Sequence, residues 1–135
     1  MKTQILCSWK PKEFTKESLK EEFLQKVLSF GFHPETYPYN DKKYDIEVRS
    51  PAWSSRVYQP DDGADIREFH KDGGRKHFIV WSNIIPTEIK FQDGSTLKTK
   101  DSDMILVNND EVLHRMPDGV AGKGRWFIRT YLLDD

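Results

Sequence analysis

Hydrophobic positions follow a helical period in the first quarter of the chain. Between residues 15 and 30, apolar residues recur about every 3.6 residues, at Leu19, Phe23, Leu24, Val27 and Leu28, and lysine and glutamate fill most of the remaining positions. Thr15 can cap the start of a helix, and Gly31 stands where many helices end in a left-handed residue. The pattern predicts an amphipathic helix whose apolar stripe packs on another element.

After residue 40 the pattern changes to short runs typical of β-strands. These runs are rich in β-branched and aromatic residues and cover positions 44–49, 56–58, 66–70, 77–81, 87–91, 104–107 and 125–133. Clusters of glycine, aspartate and asparagine between them predict turns. We therefore predict a mainly β fold, a double-stranded β-helix (jelly roll) with the N-terminal amphipathic helix packed on one sheet.

Length, charge and cysteine content limit the expected number of domains, the expected partners and the expected compartment. A chain of 135 residues is expected to form a single domain, spanning 1–135. The formal net charge of -1 gives no reason to expect nucleic acid or an anionic membrane as a partner. Cys7 is the single cysteine, so no internal disulfide is possible. With no apolar run long enough for a signal peptide or a membrane span, we expect a cytoplasmic protein.

Candidate metal ligands lie in the predicted strands. His70 and Asp72 are two residues apart, so on a strand their side chains leave the same face. Two imidazoles and one carboxylate form the facial triad of non-haem Fe(II) oxygenases, and His114 is the best candidate for the second imidazole. Two alternatives remain: His114 is a core histidine, or His77 replaces it as a ligand.

Two arginines suggest an anion site. Arg125 and Arg129 are four residues apart in a strand-like run, so both side chains leave one face. If the opposite face, which carries Trp126, packs under the helix, both guanidinium groups point between the sheets, where a cation needs an anion. A carboxylate suits the planar fork of arginine. The alternative is a solvated outer face with no ligand.

The C-terminal half of the chain resembles a known enzyme group. The run DMILVNNDEVLHR at 103–115, followed by RWFIR at 125–129, resembles the C-terminal motif of the taurine dioxygenase and clavaminate synthase group of Fe(II)/2-oxoglutarate-dependent oxygenases. This resemblance implies that His70, Asp72 and His114 bind Fe(II). It further implies that Arg125 binds the far carboxylate of 2-oxoglutarate and that Arg129 faces the substrate.

The same resemblance places other residues near the site. Thr87 lies near where a hydroxyl often assists the 2-oxoglutarate carboxylate, and Asn83 and Trp81 are candidate wall residues. About forty residues separate Asp72 from His114, whereas the named enzymes insert long lid segments there. An open mouth that admits a large substrate, or one that a partner subunit completes in a homodimer, would follow.

The expected function is therefore oxidative. With Fe(II), 2-oxoglutarate and O2, the chain would hydroxylate a small molecule or an exposed site on a macromolecule, releasing succinate and CO2. The main alternative is a non-catalytic jelly-roll module that presents Arg115, Arg125 and Arg129 to an anionic small molecule. A cupin-type metal enzyme is a third possibility, although the histidines do not form the usual pair two residues apart.

Overall fold

The structure is a computed structural model and describes residues 1–37, 40–49, 68–71, 75–115 and 124–133. These ranges contain one helix, α1 (Lys16–Ser29), and ten strands. The strands are β1 (Gln4–Ser8), β2 (Thr36–Tyr37), β3 (Asn40–Tyr44), β4 (Ile46–Arg49), β5 (His77–Ser82), β6 (Glu88–Phe91), β7 (Thr96–Leu97), β8 (Asp103–Asn108), β9 (Val112–Arg115) and β10 (Phe127–Tyr131). The predicted strand at 56–58 lies outside the described residues.

Antiparallel pairing organises most strands into two sheets. The large sheet has five strands in the order β1-β8-β5-β10-β4, and the small sheet has three in the order β7-β6-β9. Strands β2 and β3 form a separate pair. The prediction of a mainly β fold is confirmed at the level of an antiparallel β-sandwich with one N-terminal helix in the described ranges.

The large sheet has a hydrophobic core on each of its faces because its strands are apolar at consecutive positions. One core lies between the large sheet and α1 (the helix-side core), and the other lies between the two sheets (the inter-sheet core). On β5, Ile79 and Trp81 belong to the helix-side core, whereas Phe78 and Val80 belong to the inter-sheet core. The helix-side core includes buried residues of α1, and the inter-sheet core includes Ile89 of β6 and Val112 of β9. The order of layers is therefore helix, large sheet, small sheet.

Local contacts explain where α1 begins and how it is attached. The Thr15 side chain accepts a hydrogen bond from the Ser18 amide at 3.2 Å, which confirms the predicted N-cap. On the buried face, the Trp81 indole donates to the carbonyls of Trp9 and Ser102, both at 3.0 Å. The Trp9 ring lies 4.8 Å from that of Trp81 and its indole donates to Glu22 of α1. The Trp9–Trp81 pair, with the ring planes tilted at 47°, thus joins the helix to the sheet.

Cys7 belongs to the same side of the large sheet. It is half-buried against the helix-side core, and burial raises the pKa of its thiol. A thiol kept protonated is a poor nucleophile and a poor metal ligand. Cys7 is therefore not a candidate for the functional site.

The buried face of α1 provides a test of the fold. Phe23 has no exposed surface, whereas Leu28, on the same helix, is 37% exposed. We expect Phe23→Ala to lower the free energy of unfolding by about 3 to 5 kcal/mol, because a large side chain is removed from a closed core. Leu28→Ala, the control, should cost less than about 1 kcal/mol. Urea denaturation measures both; equal losses would mean that α1 is not packed as described.

Candidate functional site

Two of the predicted histidines lie side by side at the edge of the small sheet. The His70 amide donates to the His114 carbonyl at 2.9 Å, and the His114 amide donates to the His70 carbonyl at 3.0 Å. The centroids of the imidazole rings are 4.6 Å apart, with the ring planes at 57°. A single β-bridge thus unites residues that are 44 positions apart in the sequence.

His114 points into the layer between the two sheets. Its neighbour two residues earlier on β9, Val112, belongs to the inter-sheet core, and alternation puts His114 on the same face. The Phe78 and His114 rings pack edge to face at a centroid distance of 5.2 Å, and His114 is 7% exposed. The imidazole is therefore held by core packing and still faces the layer where the two sheets meet.

The backbone fixes the protonation pattern of the His70 ring. Its Nδ1 lies 2.7 Å from the carbonyl oxygen of Glu68. Because a carbonyl only accepts hydrogen bonds, Nδ1 must carry the proton, and a neutral ring then bears its lone pair on Nε2. This is the arrangement usually found in metal-binding histidines, where a backbone carbonyl orients the ring.

The separation of the two rings fits a shared octahedral ion. Imidazoles in adjacent positions on such an ion, with bonds of about 2.1 Å, have ring centroids roughly 4.5 Å apart, close to the 4.6 Å observed. The predicted carboxylate ligand, Asp72, lies outside the described residues. Among the residues that are described, no group of three histidine, cysteine, aspartate or glutamate side chains is close enough to bind a metal. The donor set in the described ranges is thus the histidine pair.

His77, the alternative ligand, lies elsewhere. It begins β5 and is 6% exposed. Side chains alternate between the two faces of a strand, so His77 lies on the helix-facing side of β5 with Ile79 and Trp81. Phe78, which contacts His114, lies on the opposite side. His77 is therefore buried at the start of β5, on the face of the large sheet opposite to that of Phe78.

Arg125 is buried at the other end of the inter-sheet layer and is 1% exposed. Its Nε donates to the Ile85 carbonyl at 2.9 Å, and its Nη2 donates to the hydroxyls of Ser82 and Thr87, both at 3.1 Å. The guanidinium carbon lies 5.4 Å from the centroid of the Phe127 ring. The structure therefore brings Arg125 and Thr87 together, and the alternative of a solvated outer face is wrong for Arg125.

Arg129 shares the inter-sheet face with Arg125 but has a different environment. It donates to Glu47 on the neighbouring strand β4 at 2.7 Å, and its guanidinium lies 5.0 Å from the Tyr131 ring centroid. Glu47 also forms an ion pair with Arg49. The sequence contains no signal for Glu47, because its role depends on the pairing of β4 with β10.

The histidine pair and Arg125 lie toward the two ends of the same layer. Ile89 on β6 pairs with His114 on β9, and Thr87, which contacts Arg125, is two residues before Ile89 on the same face. Two residues along a strand span about 7 Å. A short molecule lying between the sheets would have imidazoles at one end and a guanidinium at the other.

Arg115 does not belong to this layer. It follows His114 on β9, so its side chain leaves the opposite, outer face of the small sheet. There it donates to Glu88 at 2.7 Å and lies 4.3 Å over the Phe69 ring. The alternative in which Arg115, Arg125 and Arg129 form one anion-binding surface is therefore wrong for Arg115.

No protein-family model, no curated protein and no solved structure matches this chain. A search of the described residues for helices of membrane-spanning length and hydropathy found none.

Proposed function

We propose that this chain is a minimal Fe(II)- and 2-oxoglutarate-dependent dioxygenase. His70, Asp72 and His114 hold the iron, and Arg125 with Thr87 binds the far carboxylate of 2-oxoglutarate. The observation that carries the proposal is the imidazole pair at one end of the inter-sheet layer with a buried guanidinium at the other.

The order of strand pairing supports a double-stranded β-helix. From β4 to β10, the first segment pairs with the last, the second with the second last, and so on inward. The pairs are β4 with β10, His70 with β9, β5 with β8, and β6 with β7. A long hairpin rolled up on itself produces this nesting, in which outer strands pair with outer and inner with inner. The proposed metal site then lies at the mouth of the roll, on its second and seventh strands.

The burial of Arg125 supports an anionic ligand. Taking a cation out of water is costly, so a buried guanidinium favours the approach of an anion. Hydrogen bonds to the Ile85 carbonyl and to the hydroxyls of Ser82 and Thr87 hold this guanidinium in one orientation. The Thr87 hydroxyl accepts from Arg125 and keeps its own proton to donate. A carboxylate at this point gains charge-assisted hydrogen bonds that contribute roughly 1.5 to 3 kcal/mol.

The protein's part in the reaction is to bind and orient. When bound, Fe(II), 2-oxoglutarate and O2 supply the oxidising chemistry, which releases succinate and CO2 and hydroxylates the substrate. The Glu68 carbonyl keeps the His70 ring in its ligating form, and Phe78 packs against the His114 ring. Arg125 fixes one end of the co-substrate, and the Arg129–Glu47 pair lines the side of the layer toward β4, where a small molecule or an exposed macromolecular site would enter.

Anaerobic titration of the metal-free protein with Fe(II) and then 2-oxoglutarate tests the proposal. We expect one iron per chain and a weak visible charge-transfer band only when both are present. Glutarate is the matched control, because it has the same chain length and both carboxylates and lacks only the 2-keto oxygen needed for chelation. Absence of stoichiometric iron binding would contradict the proposal. Binding of 2-oxoglutarate without metal would instead support the non-catalytic module that binds an anionic small molecule.

A further inference from the structure

The turn between β5 and β6 contains a strained residue next to the buried arginine. Ile84 has a φ of 68°, a value that β-branched residues rarely adopt. The Ile85 amide donates to the Asn83 carbonyl at 2.7 Å. A hydrogen bond across three residues with positive φ at the centre defines the rare, strained form of the γ-turn.

Asn83 ties this turn to the chain beside Arg125. Its side-chain Oδ1 accepts a hydrogen bond from the Trp126 backbone amide at 2.6 Å, and its backbone amide donates to the Trp126 carbonyl at 3.3 Å. Trp126 is the residue after Arg125. The position of the turn and the position of the arginine backbone are therefore set by one side chain.

The turn also holds the arginine side chain. The Ile85 carbonyl accepts from Arg125 Nε at 2.9 Å and from the Ser82 hydroxyl at 3.0 Å, and Ser82 accepts from Arg125 in turn. Residues kept in strained conformations persist where their surroundings over-determine them, and they cluster at ligand clamps. In this protein, hydrogen bonds between the Arg125 guanidinium and the residues around the strained turn restrain both groups.

We infer that the turn at Asn83–Ile85 fixes the depth of the Arg125 guanidinium and thereby selects the length of the dicarboxylate that the site accepts. This inference rests on the proposed function. Without this restraint, the long arginine side chain could change its conformation and bind the far carboxylate of dicarboxylates of different length. With both the metal end and the guanidinium end fixed, one methylene more or less displaces the far carboxylate by about 1 Å, which is enough to spoil a productive geometry.

The test compares 2-oxoglutarate with 2-oxoadipate, which is one methylene longer and carries the same charge. Calorimetric titration of the Fe(II)-loaded protein without oxygen gives both affinities. We expect the wild type to prefer 2-oxoglutarate by at least about tenfold, and Asn83→Ala to lower this ratio below about threefold. A variant that is merely less stable weakens both ligands and leaves the ratio unchanged.

Two variants serve as controls. Asn83→Asp keeps the acceptor for the Trp126 amide. Its added charge affects the binding of both ligands equally, because they have the same charge, so the ratio of the two affinities is unchanged by it. Asn109→Ala makes the same chemical change near the other end of β5, about 17 Å away, where the Asn109 side chain donates to the Arg75 carbonyl. Both controls should keep the preference for 2-oxoglutarate.

Ser82→Ala gives an independent measurement should Asn83→Ala not fold, because it also loosens the contact between the guanidinium and the turn. An unchanged ratio in Ser82→Ala, or in a folded Asn83→Ala, would overturn the inference and leave the proposed function standing. Failure of wild-type protein to bind either dicarboxylate would overturn both.

Discussion

His114→Ala is expected to abolish stoichiometric binding of a divalent metal. The change removes one of two imidazoles whose centroids are 4.6 Å apart, and a single remaining imidazole with one carboxylate binds weakly. Loss of an orienting partner alone costs about 10- to 100-fold in affinity, so loss of a ligand should cost more. Anaerobic dialysis against Fe(II), followed by measurement of metal per chain, gives the result directly.

His77→Ala is the matched control for the loss of a buried imidazole. The two histidines have nearly the same exposure, 6% and 7%, but His77 has the parity of the helix-facing residues of β5. Both variants should lose stability, and only His114→Ala should lose metal. Thermal denaturation with and without Fe(II) adds a second measurement, because a ligand that binds the folded state raises its melting temperature. Retention of metal by His114→Ala would show that the distal ligand is wrong.

Elements with a strong local period were predictable from the sequence. The predicted helix at 15–30 is observed at Lys16–Ser29, because an amphipathic stripe and a capping threonine both act within a few residues. The predicted strand at 77–81 corresponds to β5, His77–Ser82. Continuous apolar runs of this kind indicate strands buried on both faces, which β5 is.

Elements that depend on distant partners were not predictable in the same way. Strand β1 (Gln4–Ser8) has a short apolar run and owes its conformation to pairing with β8, about a hundred residues later. The strand predicted from residue 125 begins instead at Phe127. The reason is that the Trp126 amide bonds to the Asn83 side chain and not to a strand partner.

The same distinction applies to the candidate site. The chemistry of the facial triad and the resemblance of the C-terminal motif both favour His114 as the partner of His70, but spacing alone does not bring them together, because their contact depends on a β-bridge between residues 44 positions apart. The ion pair of Arg129 with Glu47 follows from the register of β10 against β4, which no local pattern reveals. The different environments of the two arginines lead directly to different expected roles.

Arg125→Ala is expected to weaken 2-oxoglutarate binding by at least about tenfold, the equivalent of losing a charge-assisted contact of roughly 1.5 to 3 kcal/mol. Arg129→Ala should leave that affinity near the wild-type value and lower turnover of the prime substrate. The reason is position: Arg125 is buried beside Thr87, whereas Arg129 is 19% exposed and bonded to Glu47. Uncoupled succinate formation, measured against 2-oxoglutarate concentration, separates the two.

Arg125→Lys refines this comparison because it keeps the charge and removes the planar fork. A lysine cannot reproduce simultaneous bonds to the Ile85 carbonyl and the two hydroxyls that the arginine reaches. We therefore expect its affinity for 2-oxoglutarate to lie between those of the wild type and Arg125→Ala, with melting temperature recorded for each variant to account for lost internal bonds. Equal effects of Arg125→Ala and Arg129→Ala, or none from Arg125→Ala, would remove the basis for dividing their roles. In that case the buried guanidinium would serve to hold the β5–β6 turn, and the carboxylate would have to be bound elsewhere in the layer.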